Sequence, residues 1–163
     1  MAGKRTFDGS LLALALLAAL APACEQTIDR TEELRPPVLS LVVTEPGAVD
    51  LEVAGPYGLR ALQARLVYDP QQVQLTKVEP GVDAARLDRV FFADPSKANG
   101  SLVFGLTDTR AVMLPARGAL LRFHLQPAGG ASAATLSVTE PLGAIDGGER
   151  VDLAPTSLEV KLP

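Results

Sequence analysis

The stretch Leu59–Gly81, LRALQARLVYDPQQVQLTKVEPG, decides how the rest of this chain reads. Leu62, Ala64, Leu66 and Tyr68 fall on one side of a period-two pattern, and Gln63, Arg65 and Val67 on the other. Such alternation marks a strand with one face on a core and one toward solvent. Pro70 has no N–H to give to a ladder and holds Asp69 in extended geometry, so the strand stops at the Tyr68-Asp69-Pro70 corner. Tyr68 can bury its ring while its hydroxyl reaches a loop group, and Asp69 can accept from N–H groups of the turn. Both roles are structural. A second apolar strand, Val73 to Val78, follows after a short polar turn, and the succession points to a β-sandwich.

The same punctuation runs outward in both directions. Upstream, Leu39, Leu41 and Val43 alternate before a Glu45-Pro46-Gly47 turn, and Val49, Leu51 and Val53 alternate against Asp50 and Glu52. Gly55-Pro56-Tyr57-Gly58 then turns the chain into the central strand. Downstream, Asp83–Arg89 reads as a loop with a turn of helix, and Val90–Phe92 as a short strand. Asn99-Gly100 predicts a type I′ hairpin with both residues at positive φ, leading into Leu102, Phe104 and Leu106. An apolar loop, Ala111–Arg117, carries Val112, Met113 and Leu114, which are hard to place in water. Leu121, Phe123 and Leu125 alternate with Arg122 and His124; Gly129-Gly130 turns toward Leu136 and Val138. Asp146-Gly147-Gly148 is a further turn, and Leu158, Val160 and Leu162 close the chain. Eight or nine short strands with no long helix and no internal repeat call for an all-β fold of two packed antiparallel sheets. The expected inward set is Leu62, Leu66, Tyr68, Leu102, Phe104, Leu121 and Phe123.

The first 23 residues read differently. Lys4 and Arg5 precede Leu11–Ala21, LLALALLAALA, an apolar run shorter than the roughly 20 residues a membrane span needs. Residues 1–23 are therefore read as a signal peptide, ending Ala21-Pro22-Ala23-Cys24. Cleavage before Cys24 follows either from the Ala-x-Ala pattern of ordinary secretion or from lipoprotein processing; an uncleaved anchor is the third reading. The segment resembles the bacterial lipoprotein signal, with Ala21 where leucine is usual, and the lone cysteine of the chain stands at the cleavage point. That resemblance implies lipidation of Cys24. Glu25 in the next position, by the sorting rule of Gram-negative lipoproteins, implies the outer membrane; without lipidation the protein is periplasmic or secreted. Residues 24–37, rich in charge and closed by Pro36 and Pro37, read as a polar tether, and 38–163 as the folded domain.

At Leu62–Gly81 the chain resembles a cohesin domain. The carrying residues are the strand into Tyr68-Asp69-Pro70, then Val73-x-Leu75 and Val78-Glu79-Pro80-Gly81. Gly100–Thr109, Gly118–Leu125 and Leu142–Asp146 resemble a later strand, a Gly-led strand and the late loop of that family. The resemblance implies a nine-stranded antiparallel jelly-roll β-sandwich that binds a protein, dockerin-like or other, on the face of its third, fifth, sixth and eighth strands. Carried over by position, that face holds Ala61, Gln63, Arg65 and Val67 on one strand, and Val103, Gly105 and Thr107 on another. Gln63, Arg65, Val67, Val103 and Thr107 are the candidate partner-binding residues.

Chemistry of other kinds finds little footing. The formal net charge is −4 with no basic run, which disfavours nucleic acid and anionic lipid, so a membrane is met only through the anchor. One histidine and one cysteine make zinc improbable, and no cofactor motif or EF-hand spacing is present. His124, opposite the core face, reads as solvated; no Gly-x-Ser-x-Gly elbow occurs; an Asp94–Asp108 pair is better explained by turns. Trp is absent, leaving Tyr57 and one of Phe91 or Phe92 as exposed rings for a sugar. The expectation is a non-catalytic envelope lipoprotein presenting a protein-interaction module. A polysaccharide-binding module of the same architecture, or a purely structural envelope protein, is the alternative.

Overall fold

The computed structural model describes residues 35–85, 89–92, 95, 98–107 and 113–163. The leader, Cys24, most of the tether, Asp94, Asp108, Ala111 and Val112 lie outside these residues. Ten strands follow in order: β1 (Val38–Glu45), β2 (Ala48–Ala54), β3 (Ala61–Tyr68), β4 (Val73–Pro80), β5 (Arg89–Phe92), β6 (Ser101–Thr107), β7 (Arg117–Pro127), β8 (Ala133–Ala144), β9 (Arg150–Asp152) and β10 (Thr156–Lys161). Nine lie on two antiparallel paths, β1-β2-β7-β4 and β10-β8-β3-β6-β5; the three-residue β9 stands off these paths, paired to β8. The all-β sandwich expected from the pattern is therefore present.

The two strands of the deciding stretch belong to different sheets, so the Tyr68-Asp69-Pro70 corner carries the chain from one layer to the other. Its chemistry is local. Tyr68 is buried and its hydroxyl donates to the Ala98 carbonyl; the Gln71 N–H donates to Asp69 Oδ1 at 2.9 Å. Burial pushes the Tyr68 hydroxyl up from its ordinary pKa, so it stays a donor. Gly100, at φ 81, backs onto the same corner: its carbonyl accepts from the Tyr68 N–H at 3.0 Å, and a Cβ there would sit 3.1 Å from Pro70 Cδ. Asn99 is not left-handed, and the connection from Phe92 to Ser101 is longer than a two-residue turn. The type I′ hairpin is thus not formed, because Gly100 is spent on closing against Tyr68 and Pro70. Tyr68→Phe should cost about 1 kcal/mol in urea unfolding, the lower end for a half-buried acceptor left unpaired; no loss would mean water replaces the hydroxyl fully.

All seven residues of the expected inward set are buried. Phe104 and Phe123, one from each sheet, meet across the sandwich with ring centres 6.0 Å apart and planes tilted by 59°. Other readings need correction. Val43 alternates with the core residues yet stays 45% exposed, because it lies near the end of an edge strand where the β1–β2 register shifts. Asp50 points away from the core but is only 4% exposed: Arg122, its register partner on β7, covers it with bonds of 2.7 and 2.9 Å. Leu114 of the apolar loop is core, its N–H on the Leu59 carbonyl at 2.6 Å, and Met113 is half-buried. Leu142 to Ala144 form the end of β8, held by β9, so the late loop begins only at Ile145. Residues 82–85 turn as expected, with the Ala84 N–H on the Gly81 carbonyl at 3.0 Å.

Candidate protein-docking face

β3 is the middle strand of its sheet, flanked by β6 and β8, and β5 continues the sheet beyond β6. Residues paired across an antiparallel ladder share a face. Gln63 stands between Gly105 and Leu142, Arg65 between Val103 and Thr139, and Val67 between Ser101 and Ser137. Ala61 stands between Thr107 and Ala144. Gln63, Arg65, Val67, Val103 and Thr107 are thereby brought onto one outer face. Val67 and Val103 are 37% and 36% exposed, the first two residues along β3 from Arg65 and the second directly across from it on β6. Because these strands lie inside the sheet, their backbone groups are used by their neighbours. What this face presents outward is therefore mainly side chains.

Arg65 is held rather than loose. Its Nη1 donates to Ser101 Oγ at 3.2 Å, and its Nε lies 3.5 Å from Glu140 Oε2. Thr139 Oγ1 donates to the Arg65 carbonyl at 3.5 Å. Thr107 is tied to the chain beside it, its hydroxyl donating to the Arg60 carbonyl at 3.4 Å. Gly105 carries no side chain, and its register partner on β5 is Phe91, with Arg89 opposite Thr107.

No protein-family model matches this chain, and no curated protein matches it in sequence. Solved structures do. The sixth cohesin of scaffoldin B from Acetivibrio cellulolyticus, solved with a mutant Cel5 dockerin, superposes with a TM-score of 0.65 at 16% identity, covering 79% of this chain and 100% of that one. The fold is that of a cohesin module. The cohesin module of a family 33 glycoside hydrolase from Clostridium perfringens gives a TM-score of 0.59 at 16% identity, over 77% of this chain and 96% of its own. A non-cellulosomal cohesin from the archaeon Archaeoglobus fulgidus gives 0.61 at 11% identity, over 77% and 91%. At such identities the likeness is one of backbone, and the side chains must be argued on their own.

On this cohesin-like sandwich the third, fifth, sixth and eighth strands are contiguous, as the resemblance implied. Sequence reasoning missed the contribution of β8: Ser137, Thr139, Glu140 and Leu142. The signal was there in part, since Thr135, Ser137 and Thr139 alternate with Ala134, Leu136 and Val138. What the pattern could not say was that β8 lies beside β3, a partner more than 60 residues away in the chain.

The opposite sheet carries its own charges, and several are paired. Beside the Asp50–Arg122 pair, His124 Nε2 lies 2.8 Å from Glu79 Oε1, and Lys77 reaches the other Glu79 oxygen. His124 is half-buried in this pair rather than simply solvated. Lys77, with His124 second, holds the Glu79 carboxyl at about 2. Asp50 in turn holds the Arg122 guanidinium above its ordinary value. Among the described residues no group of His, Cys, Asp and Glu side chains gathers as a metal ion would need. Tyr57 is half-buried against the core, beside a cleft of about 600 Å³ that Met113, Ile145 and Val151 also line. A flat exposed ring of the kind a sugar stacks on is not what Tyr57 offers.

Proposed function

We propose that this chain is a non-catalytic protein-interaction module, held at the cell envelope by a lipid on Cys24, that docks a dockerin-type partner on the outer face of β8-β3-β6-β5. The observation that carries this reading is the centre of that face: an ordered arginine with one exposed valine across from it on β6 and another two residues along β3, on strands inside the sheet. Arginine joins a planar five-donor head to an apolar stem, which is why it recurs at interface hot spots. Gln63 adds directed donors and acceptors beside it. The Acetivibrio cohesin, which shares the backbone, was solved bound to a dockerin, and this supports a partner of that kind.

The test is a pull-down with the full chain as bait from cells of its source. An Arg65→Ala, Gln63→Ala double variant should fold with an unchanged melting temperature and lose the partner the wild type retains, at least about tenfold in affinity if one hot spot of 2 kcal/mol or so is removed. Retention with unchanged affinity would move the site off this sheet.

The anchor is tested separately. In a Gram-negative host the wild type should fractionate with outer membranes, and Cys24→Ser should be released or remain unprocessed. A soluble periplasmic wild type with a free thiol would remove the anchor from the proposal and leave the docking face untouched.

A further inference from the structure

Glu140 is the one non-glycine residue at positive φ among the described residues, at φ 52. It sits where the β3–β8 register shifts. Gln63 opposes Leu142 and Arg65 opposes Thr139, so Glu140 and Pro141 together face the single residue Ala64. This is a β-bulge, a device that re-aims a side chain on one face of a sheet. Left-handed backbone disfavours glutamate, and a following proline pushes the preceding residue toward extended geometry. Such a conformation persists only where its surroundings hold it, and it concentrates at functional sites. Here Pro141 is buried and its carbonyl accepts from the Leu153 N–H at 3.3 Å.

What the bulge achieves is on the outer face. It sets the Glu140 carboxylate 3.5 Å from Arg65 Nε, while Ser101 on β6 takes Nη1 from the other side. The guanidinium is bracketed by both neighbouring strands. Around it stand Val67, Val103, Ser101, Ser137 and Thr139, so no second charge on β3, β6 or β8 joins this pair within those rows.

We propose that Glu140 is a specificity-determining residue of the docking face: it cancels the charge of Arg65 and holds the guanidinium across β3, so that the face accepts an uncharged partner surface and turns away an acidic one. The inference rests on the docking reading above. A guanidinium already matched by a carboxylate offers its remaining N–H groups and its planar face, without net charge. The partner group that meets it is then a hydroxyl or a carbonyl; a carboxylate would meet Glu140 as a like charge. The flanking valines and hydroxyls ask for small apolar and hydroxyl-bearing groups around that contact.

The test is the salt dependence of binding, with the full chain and the protein that wild type retains in the pull-down, purified. Wild-type affinity should change less than about threefold between low salt and about 1 M NaCl, where the Debye length is about 3 Å. Glu140→Gln keeps the side-chain shape and leaves Arg65 a bare cation. It should weaken binding about fivefold or more, and the ¹⁵N spectrum should show the Arg65 Nε–H newly mobile. Glu140→Gly, which suits the left-handed backbone and stays folded, should show the same loss. Either variant binding like wild type at every salt overturns the proposal, as does a wild-type affinity that falls steeply with salt. If the Arg65→Ala, Gln63→Ala variant also binds normally, the docking reading itself has failed; if that variant loses the partner and the Glu140 variants do not, only the role of Glu140 has.

Discussion

Phe104→Ala should lower the free energy of unfolding by about 3–5 kcal/mol, the range for removing an aromatic ring from a packed core. Phe104 is fully buried at the middle of β6 and meets Phe123 of the other sheet at 6.0 Å, so the ring bridges the two layers. Its loss removes apolar burial and opens a cavity that backbone held in two ladders cannot collapse to fill. Native domains are stable by only about 5–15 kcal/mol, so the melting temperature should drop by something on the order of 10–20 °C. Thermal and urea unfolding followed by circular dichroism reads this directly. A loss below about 1 kcal/mol would mean the ring is not packed between the sheets.

Leu66→Ala should cost about 2–5 kcal/mol, while Arg65→Ala, one residue away, should cost less than about 1 kcal/mol. The contrast comes from the pleat. Leu66 is fully buried between Leu102 and Val138, its partners on β6 and β8, whereas Arg65 lies on the outer face and keeps its solvent. The variant does lose the Arg65 bond to Ser101 and the pairing with Glu140, but surface contacts of that kind contribute little to folding. Because side chains alternate with a period of two, a slip of one residue would exchange the two results. Equal losses at both positions would therefore contradict the register described for β3.

The same strand shows how far a sequence can be read. Leu62, Leu66 and Tyr68 announced an inward face and Gln63, Arg65 and Val67 an outward one, because alternation is a local property that solvent enforces on each strand. The Tyr68-Asp69-Pro70 corner was legible for a similar reason: Pro70 ends a ladder wherever it stands, and Asp69 bonds to its own turn. Of the candidate docking face, Val103 and Thr107 came from β6, which follows in the chain with the same alternation, and the family resemblance supplied the idea that the strands belong together.

What only the tertiary structure decided depends on contacts between distant segments. Asp50 is polar and faces away from the core, yet it is buried, since Arg122 lies over it from β7. Leu114 looks like an exposed loop residue until Leu59 binds its N–H. Asn99-Gly100 has the composition of a tight hairpin, but Gly100 is claimed by a corner some 30 residues earlier, and that contact outweighs the local preference. Glu140 shows it most fully: a proline inside a strand signals a bulge at most, and nothing local says that the bulge lies beside Arg65. By itself the sequence determined the inward faces of β3, β6 and β7, the stop of β3 at its proline corner and that the fold is an all-β sandwich, because those follow from each segment's own balance of apolar surface and backbone geometry. The pairing of β3 with β8 and the bracket around Arg65 were decided by tertiary structure, because an ion pair needs two side chains within a few ångströms that the chain alone keeps far apart.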